Sequence, residues 1–155
     1  METQLETRNV MFAFQTTDAR AIDAITLECF DAIKTDQACY ITPAERLVCS
    51  PLVRFVEINS NNETCGILAL AGNEIHTLFR KALRGRAAIN AMKCGLGWVW
   101  ANTPFSELVS HAYSNRPDAI RFAKMAGFIQ VGVSDDGTTV GGVPVQRTDF
   151  IYPKP

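Results

Sequence analysis

Glu74-Ile75-His76-Thr77-Leu78-Phe79-Arg80-Lys81-Ala82-Leu83-Arg84-Gly85-Arg86-Ala87-Ala88 is the stretch on which the fold turns. Its first six residues read as a β-strand that ends on the apolar pair Leu78-Phe79. The next segment sets cations at Arg80, Lys81, Arg84 and Arg86 around a single glycine, Gly85. From there Ala88, Met92, Leu96 and Val99 recur at spacings of three and four, which predicts a helix from about Arg86 to Trp100. A strand that runs through a cationic glycine loop into a helix is an anion site. The first helical amides lack partners, and the helix dipole adds about half a positive charge. Gly85 and the small Ala87 and Ala88 let a phosphate approach the backbone, and Arg84 and Arg86 add charge-assisted bonds. The alternative is a solvated basic loop ahead of an ordinary core helix. The loop is not a Walker loop, because Gly-Lys-Ser/Thr is absent, and it lacks two of the three glycines of a dinucleotide fingerprint.

Upstream, Val10 to Phe14 reads as a first strand. Thr17-Asp18 offers N-cap chemistry for a helix from about Ala19 to Ile33, with Ala21, Ile22, Ile25, Cys29 and Ile33 on one face. Thr42-Pro43-Ala44-Glu45 opens a short second helix with Pro at its first position. Leu52 to Ile58 and Thr64 to Leu70 are strands joined by the polar turn Ser60-Asn61-Asn62-Glu63, hence a hairpin. Downstream, Leu108 to Tyr113 is a strand. Asn115-Arg116-Pro117-Asp118 breaks it and caps a helix whose apolar face is Ala119, Phe122, Ala123 and Ala126, and Gly127 stops that helix. Phe128 to Val133 is another strand. After the turn Asp135-Asp136-Gly137, Pro144 to Tyr152 is expected as a last, edge strand, open to pairing across a dimer. Gly95 and Gly97 each weaken the long helix by about 1 kcal/mol relative to Ala, so its second half needs packing support. Trp98 and Trp100 lie on opposite sides of that helix, so at least one is expected in the core. The economical packing of this order is a mixed sheet with helices on both faces.

The loop, entered from an apolar strand, resembles that of the GNAT superfamily of acyl-CoA-dependent N-acetyltransferases, whose pattern is Gln/Arg-x-x-Gly-x-Gly/Ala. Arg84 matches the leading Arg, and Gly85 the glycine that often follows it. Ala87 replaces the first required glycine, and Ile89 the second Gly/Ala. The family's other mark is Asn, then Ala, then an aliphatic or aromatic residue, then Gly-Phe. Asn115, Ala119, Phe122 and Gly127-Phe128 match it, with Asn115 one position early. The resemblance spans Val10 to Val133 in element order, and its motif support lies between Glu74 and Phe128. It extends to small phage-encoded GNAT-like proteins, some of them virion components.

The resemblance implies an α/β (α+β) fold: a mixed, mostly antiparallel sheet of about six to seven strands flanked by about four helices. It implies acetyl-CoA as cosubstrate, no metal, and acetyl transfer to a primary amine of a small molecule or protein. CoA pyrophosphate would sit on the backbone amides of Arg84, Gly85, Arg86, Ala87 and Ala88. The pantetheine would pair with the strand end at Leu78, Phe79 and Arg80, with Asn115 and Phe122 alongside. The amide of Phe79 or Arg80 would stabilise the oxyanion. An amine near pKa 10.4 is protonated at neutral pH, so a base is required. Glu74 and His76 are the candidates on the pre-loop strand, with Glu57 behind them. The family's usual acid is a Tyr at the position held here by Ala123, which leaves Tyr113 or a water for that role. His111 shares the strand parity of Tyr113 and Asn115.

Composition bounds these readings. The chain has 155 residues with 47% hydrophobic and 20% charged, values of a globular protein rather than a disordered one, and a single domain over 1–155 is expected. Five cysteines without a CxxC argue against a zinc knuckle and for reduced, mostly buried thiols. The first residues, Met1 to Arg8, are acidic and carry no apolar core, unlike a signal peptide. No run of about 18 apolar residues suggests a membrane span. A cytoplasmic setting follows, the host cytoplasm or a virion if the chain is phage-encoded. Two other functions compete. Ala123 and Ile89 fit a catalytically degenerate GNAT-fold structural or interaction protein, a homodimer or a host or virion partner. Arg80, Lys81, Arg84, Arg86 and Lys93 suit a nucleic-acid binder, against which stand the net charge of −1 and the scarcity of aromatics near the patch. The acceptor pocket is expected along Ala32 to Pro51.

Overall fold

The computed structural model describes residues 10–37 and 53–155, the side chains of 30–33 excepted. In chain order the elements are β1 (Met11–Thr16), α1 (Ala19–Ile33), β2 (Val53–Ser60), β3 (Glu63–Ala71), β4 (Glu74–Phe79), α2 (Gly85–Asn102), β5 (Glu107–Tyr113), α3 (Pro117–Met125), β6 (Ile129–Ser134), β7 (Thr139–Val140), β8 (Val143–Pro144) and β9 (Arg147–Pro153). Seven strands form one sheet in the order β1-β2-β3-β4-β5-β9-β6, and β7 and β8 pair as a separate small hairpin. Every ladder in the large sheet is antiparallel except that between β4 and β5. The expected mixed, mostly antiparallel sheet is therefore present, and β4 has the bounds read from the sequence.

Alternation along β2 and β3 splits the core in two. Phe55 and Ile67 face one side and bury Ile22, Ile25 and Cys29 of α1. Val56, Ile58, Leu68 and Leu70 face the other and bury Ala91, Met92, Leu96 and Val99 of α2, in a cluster that continues to Leu108, Phe128 and Phe150. The period of two along the strands and of 3.6 along the helices thus produces a three-layer arrangement. Asp18 caps α1 as expected, accepting from the amides of Arg20 (3.0 Å) and Ala21 (3.4 Å).

The two α2 glycines do different things. A Cβ on Gly95 would lie 2.5 Å from Leu68 Cδ1 and 3.0 Å from Ile58 Cδ1, so this glycine lets α2 settle onto the sheet. Nothing lies within 4 Å of a Cβ on Gly97. Trp98 and Trp100 are both partly buried against the core, and Trp100 stacks on Tyr152 with centroids 6.0 Å apart.

Two expectations need correction. The last strand is not an edge: β9 lies between β5 and β6, and β6 takes the edge. A strand that ends the chain reads as terminal in sequence, yet its alternate burial of Thr148 and Phe150 is that of an interior strand. Glu57 is buried, accepting from Thr64 Oγ1 at 2.8 Å and Asn59 Nδ2 at 3.4 Å, rather than standing as a candidate base behind Glu74 and His76. Helix α3 begins at Arg116, inside the stretch Asn115 to Asp118 expected to cap it, with Pro117 in the first turn. The described residues hold three helices, and the short helix expected at Thr42, with Cys39, Cys49 and most of the Ala32–Pro51 pocket, lies outside them. Cys29, Cys65 and Cys94 are free thiols, and burial raises the pKa of each. Among the described residues no helix is long and apolar enough to cross a membrane.

Candidate active site

The site begins with a failure of pairing. Parallel strands β4 and β5 share one ladder position, Glu74↔Val109, reinforced by Val109 N–H donating to Asn73 O at 3.0 Å. Beyond it the two strands diverge toward their C-terminal ends. On its other edge β4 stays paired with β3 as far as Gly66↔Phe79, and the amide of Arg80 still donates to Cys65 O at 3.1 Å. In an antiparallel ladder successive residues turn their amides to opposite sides. If Arg80 points at β3, then Phe79 and Thr77 point into the gap. Of the two amides expected to hold an oxyanion, Arg80 is therefore spent in the sheet and Phe79 is left. The Phe79 carbonyl, on the same side, accepts from Cys29 Sγ of α1 at 3.1 Å.

A cleft of about 750 Å³ occupies this divergence, a volume suited to a small-molecule ligand. One wall is the end of β4: His76, Leu78 and Phe79. The base is the start of α2, where Arg84, Gly85 and Ala88 line the opening. Arg84 is the N-cap and makes no side-chain cap bond, so the first amides of α2 keep their donors available. Gly85 has φ +60°, a backbone region in which a Cβ is strained, and nothing lies within 4 Å of where that Cβ would be. Both facts suit a phosphate approaching backbone amides. The opposite wall is the β5–α3 corner, with Tyr113, Asn115 and Phe122. The Phe79 ring covers Gly66 across the strand and meets Phe122 edge-on at 5.7 Å, tying the two walls below the gap.

Charges divide around the cleft. Arg80 lines it, but its guanidinium is drawn off toward α1: Nη1 lies 3.6 Å from Glu28 Oε2, and Nε donates to Thr64 O. Glu28 also accepts from the amide of Lys81. Arg116 pairs with Asp118 at 3.0 Å and holds that carboxyl below its ordinary range.

Farther along β4 and β5 lies a cluster of titratable groups. Glu74 Oε1 is 3.3 Å from His76 Nε2 and 3.3 Å from His111 Nδ1. The imidazoles meet edge-to-face at 5.6 Å, and His111 meets the Tyr113 ring the same way at 5.5 Å. Tyr113 donates to Asp136 Oδ2 at 2.8 Å, and the hydrogen bond from Thr138, followed by this one, lowers the Asp136 pKa. Burial lowers the His111 pKa, helped by the Arg147 and His76 charges and opposed by Glu74 and Asp149.

No family model and no curated protein matches the sequence. Solved structures do match. An acetyltransferase from Salmonella typhimurium, described as modifying the N-terminal serine of ribosomal protein L7/L12, superposes with TM-score 0.73 at 11% identity, over 96% of each chain. Spermidine N-acetyltransferase from Vibrio cholerae, solved with CoA and spermine, gives TM-score 0.72 at 12% identity over 95% of this chain and 96% of that one. An acetyltransferase of the GNAT family from Streptococcus pneumoniae gives 0.69 at 11%, over 94% and 100%. The chain has the GNAT fold.

Within this GNAT fold, the cleft gathers His76, Leu78, Phe79, Arg80, Arg84, Gly85, Ala88, Tyr113, Asn115 and Phe122 from among the residues singled out in the sequence. Three others stand off it. Ala87 and Arg86 are exposed on the first turn of α2, and Arg86 lines a separate shallow hollow with Asn90 and Lys93. Helix periodicity explains this, because residues 86 and 84 lie on different faces. Glu74 is also absent from the lining, although its carboxylate lies 3.3 Å from each of the two imidazoles that do line it. Sequence reasoning gave little weight to His111 and none to Asp136 as a partner of Tyr113. The parity of His111 with Tyr113 was the available signal, but only the β4–β5 pairing brings Glu74 to it.

Proposed function

We propose that the chain is an acetyl-CoA-dependent N-acetyltransferase acting on a primary amine of a small molecule or protein. The observation that carries this reading is the single shared ladder position of β4 and β5, opening a cleft beside an uncapped helix start with Gly85 in the left-handed region. Acetyl-CoA supplies an activated acyl group on a good thiolate leaving group. The chain's part is to receive the pyrophosphate on the first amides of α2, with Arg84 adjacent, and to seat the thioester carbonyl against the Phe79 amide. His76 and Tyr113 line the cleft as groups offered for proton transfer, with Glu74 beside His76. The likeness to an N-acetyltransferase solved with CoA and spermine supports both the ligand and the amine class.

Calorimetric titration with acetyl-CoA and with CoA at about 150 mM salt tests this. Saturable micromolar binding is expected. A lost charge-assisted contact is worth about 1.5–3 kcal/mol, so Arg84→Ala should weaken binding about 10- to 100-fold. Gly85→Glu should abolish it, because a carboxylate and a strained backbone then occupy the anion position. No binding at millimolar ligand overturns the reading. Ala123, at the position where GNAT enzymes commonly keep a tyrosine, favours a second reading, a GNAT-fold interaction protein. Binding of CoA without acetylation of any amine would select it.

A further inference from the structure

We propose that His111 is the base that takes the proton from the substrate ammonium, and that Glu74 is the positioning residue behind it. This rests on the acetyltransferase reading and names the proton acceptor within it. A base must touch the amine. Glu74 does not line the cleft, whereas His76 and His111 do. The two imidazoles differ in setting: the His76 side chain is 45% exposed and that of His111 19%. A drier imidazole keeps its lone pair free of water, and the Brønsted optimum for a general base lies near the working pH.

Nδ1 of His111 is shut off from solvent and makes no directed hydrogen bond, although Glu74 Oε1 lies 3.3 Å away. Such contacts are commonly loose in a free enzyme and tighten with ligand. A carboxylate beside Nδ1 favours the Nδ1–H tautomer, which leaves the lone pair on Nε2. Burial holds His111 neutral at pH 7, and the charges facing it come from every packed strand. Glu74 and His76 are on β4, Tyr113 is on β5 itself, and Arg147 and Asp149 are on β9, where Asp149 is the register partner of His111. Arg147 is bound to Asp149 at 2.8 Å, which offsets both charges.

The step balances. Nε2 accepts one proton from R–NH3+, giving R–NH2 and a histidinium facing Glu74. The amine lone pair forms the C–N bond to the acetyl carbon and the C–S bond breaks. CoA leaves as thiolate and takes the second amine proton, and His111 returns its proton to water.

The test has two arms on the full chain. The first is side-chain 15N NMR of His111 with CoA bound, which needs no acceptor. The expected result is the Nδ1–H tautomer with a pKa below 6.5. In Glu74→Gln the tautomer preference weakens and the pKa drops further, a change that a merely structural glutamate would not cause. The second arm uses acetyl-CoA with spermine as probe amine. His111→Gln should lower kcat at least 100-fold while CoA affinity stays within twofold, and Glu74→Gln should shift the acidic limb of kcat/KM downward. A predominant Nε2–H tautomer overturns the proposal, as does a His111→Gln turnover within threefold of wild type. Failure of the unmodified chain to bind acetyl-CoA overturns the acetyltransferase reading and the base assignment with it, a result distinct from a wrong tautomer in a chain that binds.

Discussion

Glu57 shows how a single carboxylate changes meaning with its neighbours. On a strand, beside a glutamate and a histidine two strands away, it reads as a reserve base. In the folded chain it is 6% exposed and held by the Thr64 hydroxyl and the Asn59 amide. A buried acceptor with donors built for it is a structural group, and removing it strands those donors. Glu57→Ala should therefore cost about 1–3 kcal/mol in chemical denaturation. A midpoint unchanged from wild type would count against the buried network. Residue-level reading worked where a motif carries its own geometry, as at Gly85, whose φ of +60° is the backbone form glycine tolerates best. It failed where a side chain's partner comes from another element, as with Arg80, drawn away from the cleft by Glu28.

At the scale of elements, α2 separates propensity from packing. Both glycines cost the helix about 1 kcal/mol each relative to Ala, but only Gly95 is compensated, by close approach to Leu68 and Ile58. Gly97→Ala should raise stability by about 0.5–1 kcal/mol. Gly95→Ala should lower it, because neighbouring side chains must shift to admit a methyl. Thermal melts of the two variants moving in the same direction would contradict this account. Strand and helix types were legible along the chain because their apolar periods are clean, and β4 was readable to its bounds. The place of β9 was not, since alternation reveals which face a residue takes but not which strands flank it.

The whole molecule depends on contacts that join distant parts of the sequence. Asp36, just past α1, holds the β7–β8 hairpin. Its Oδ1 accepts from Gly141 N–H at 3.0 Å, and its Oδ2 from Gly142 N–H at 2.9 Å and Thr139 Oγ1 at 2.6 Å. These bonds lower its pKa from the ordinary 3.8. A carboxyl lowered in the folded state contributes stability above its unfolded pKa and loses it as pH falls through the folded value. The clasp should therefore hold at neutral pH and release below about pH 3.8, seen as upfield movement of the Gly141 and Gly142 amide protons. Asp36→Asn should show part of that movement at pH 7, and unmoved amide shifts across the titration would refute it. No local pattern announces a contact spanning 105 residues, which is why this part of the fold was silent in the sequence.

The single ladder position between β4 and β5 also has an isotopic consequence. Along β4, the amides of Thr77 and Phe79 that face the gap have no strand to lock them, while those facing β3 are held in a continuous ladder. Two exchange classes are thus interleaved residue by residue on one strand. A ligand lodged in the gap should slow deuterium uptake at Thr77 and Phe79 and leave Leu78 and Arg80 as they were, so that alternate amides of one short strand report whether the cleft is filled.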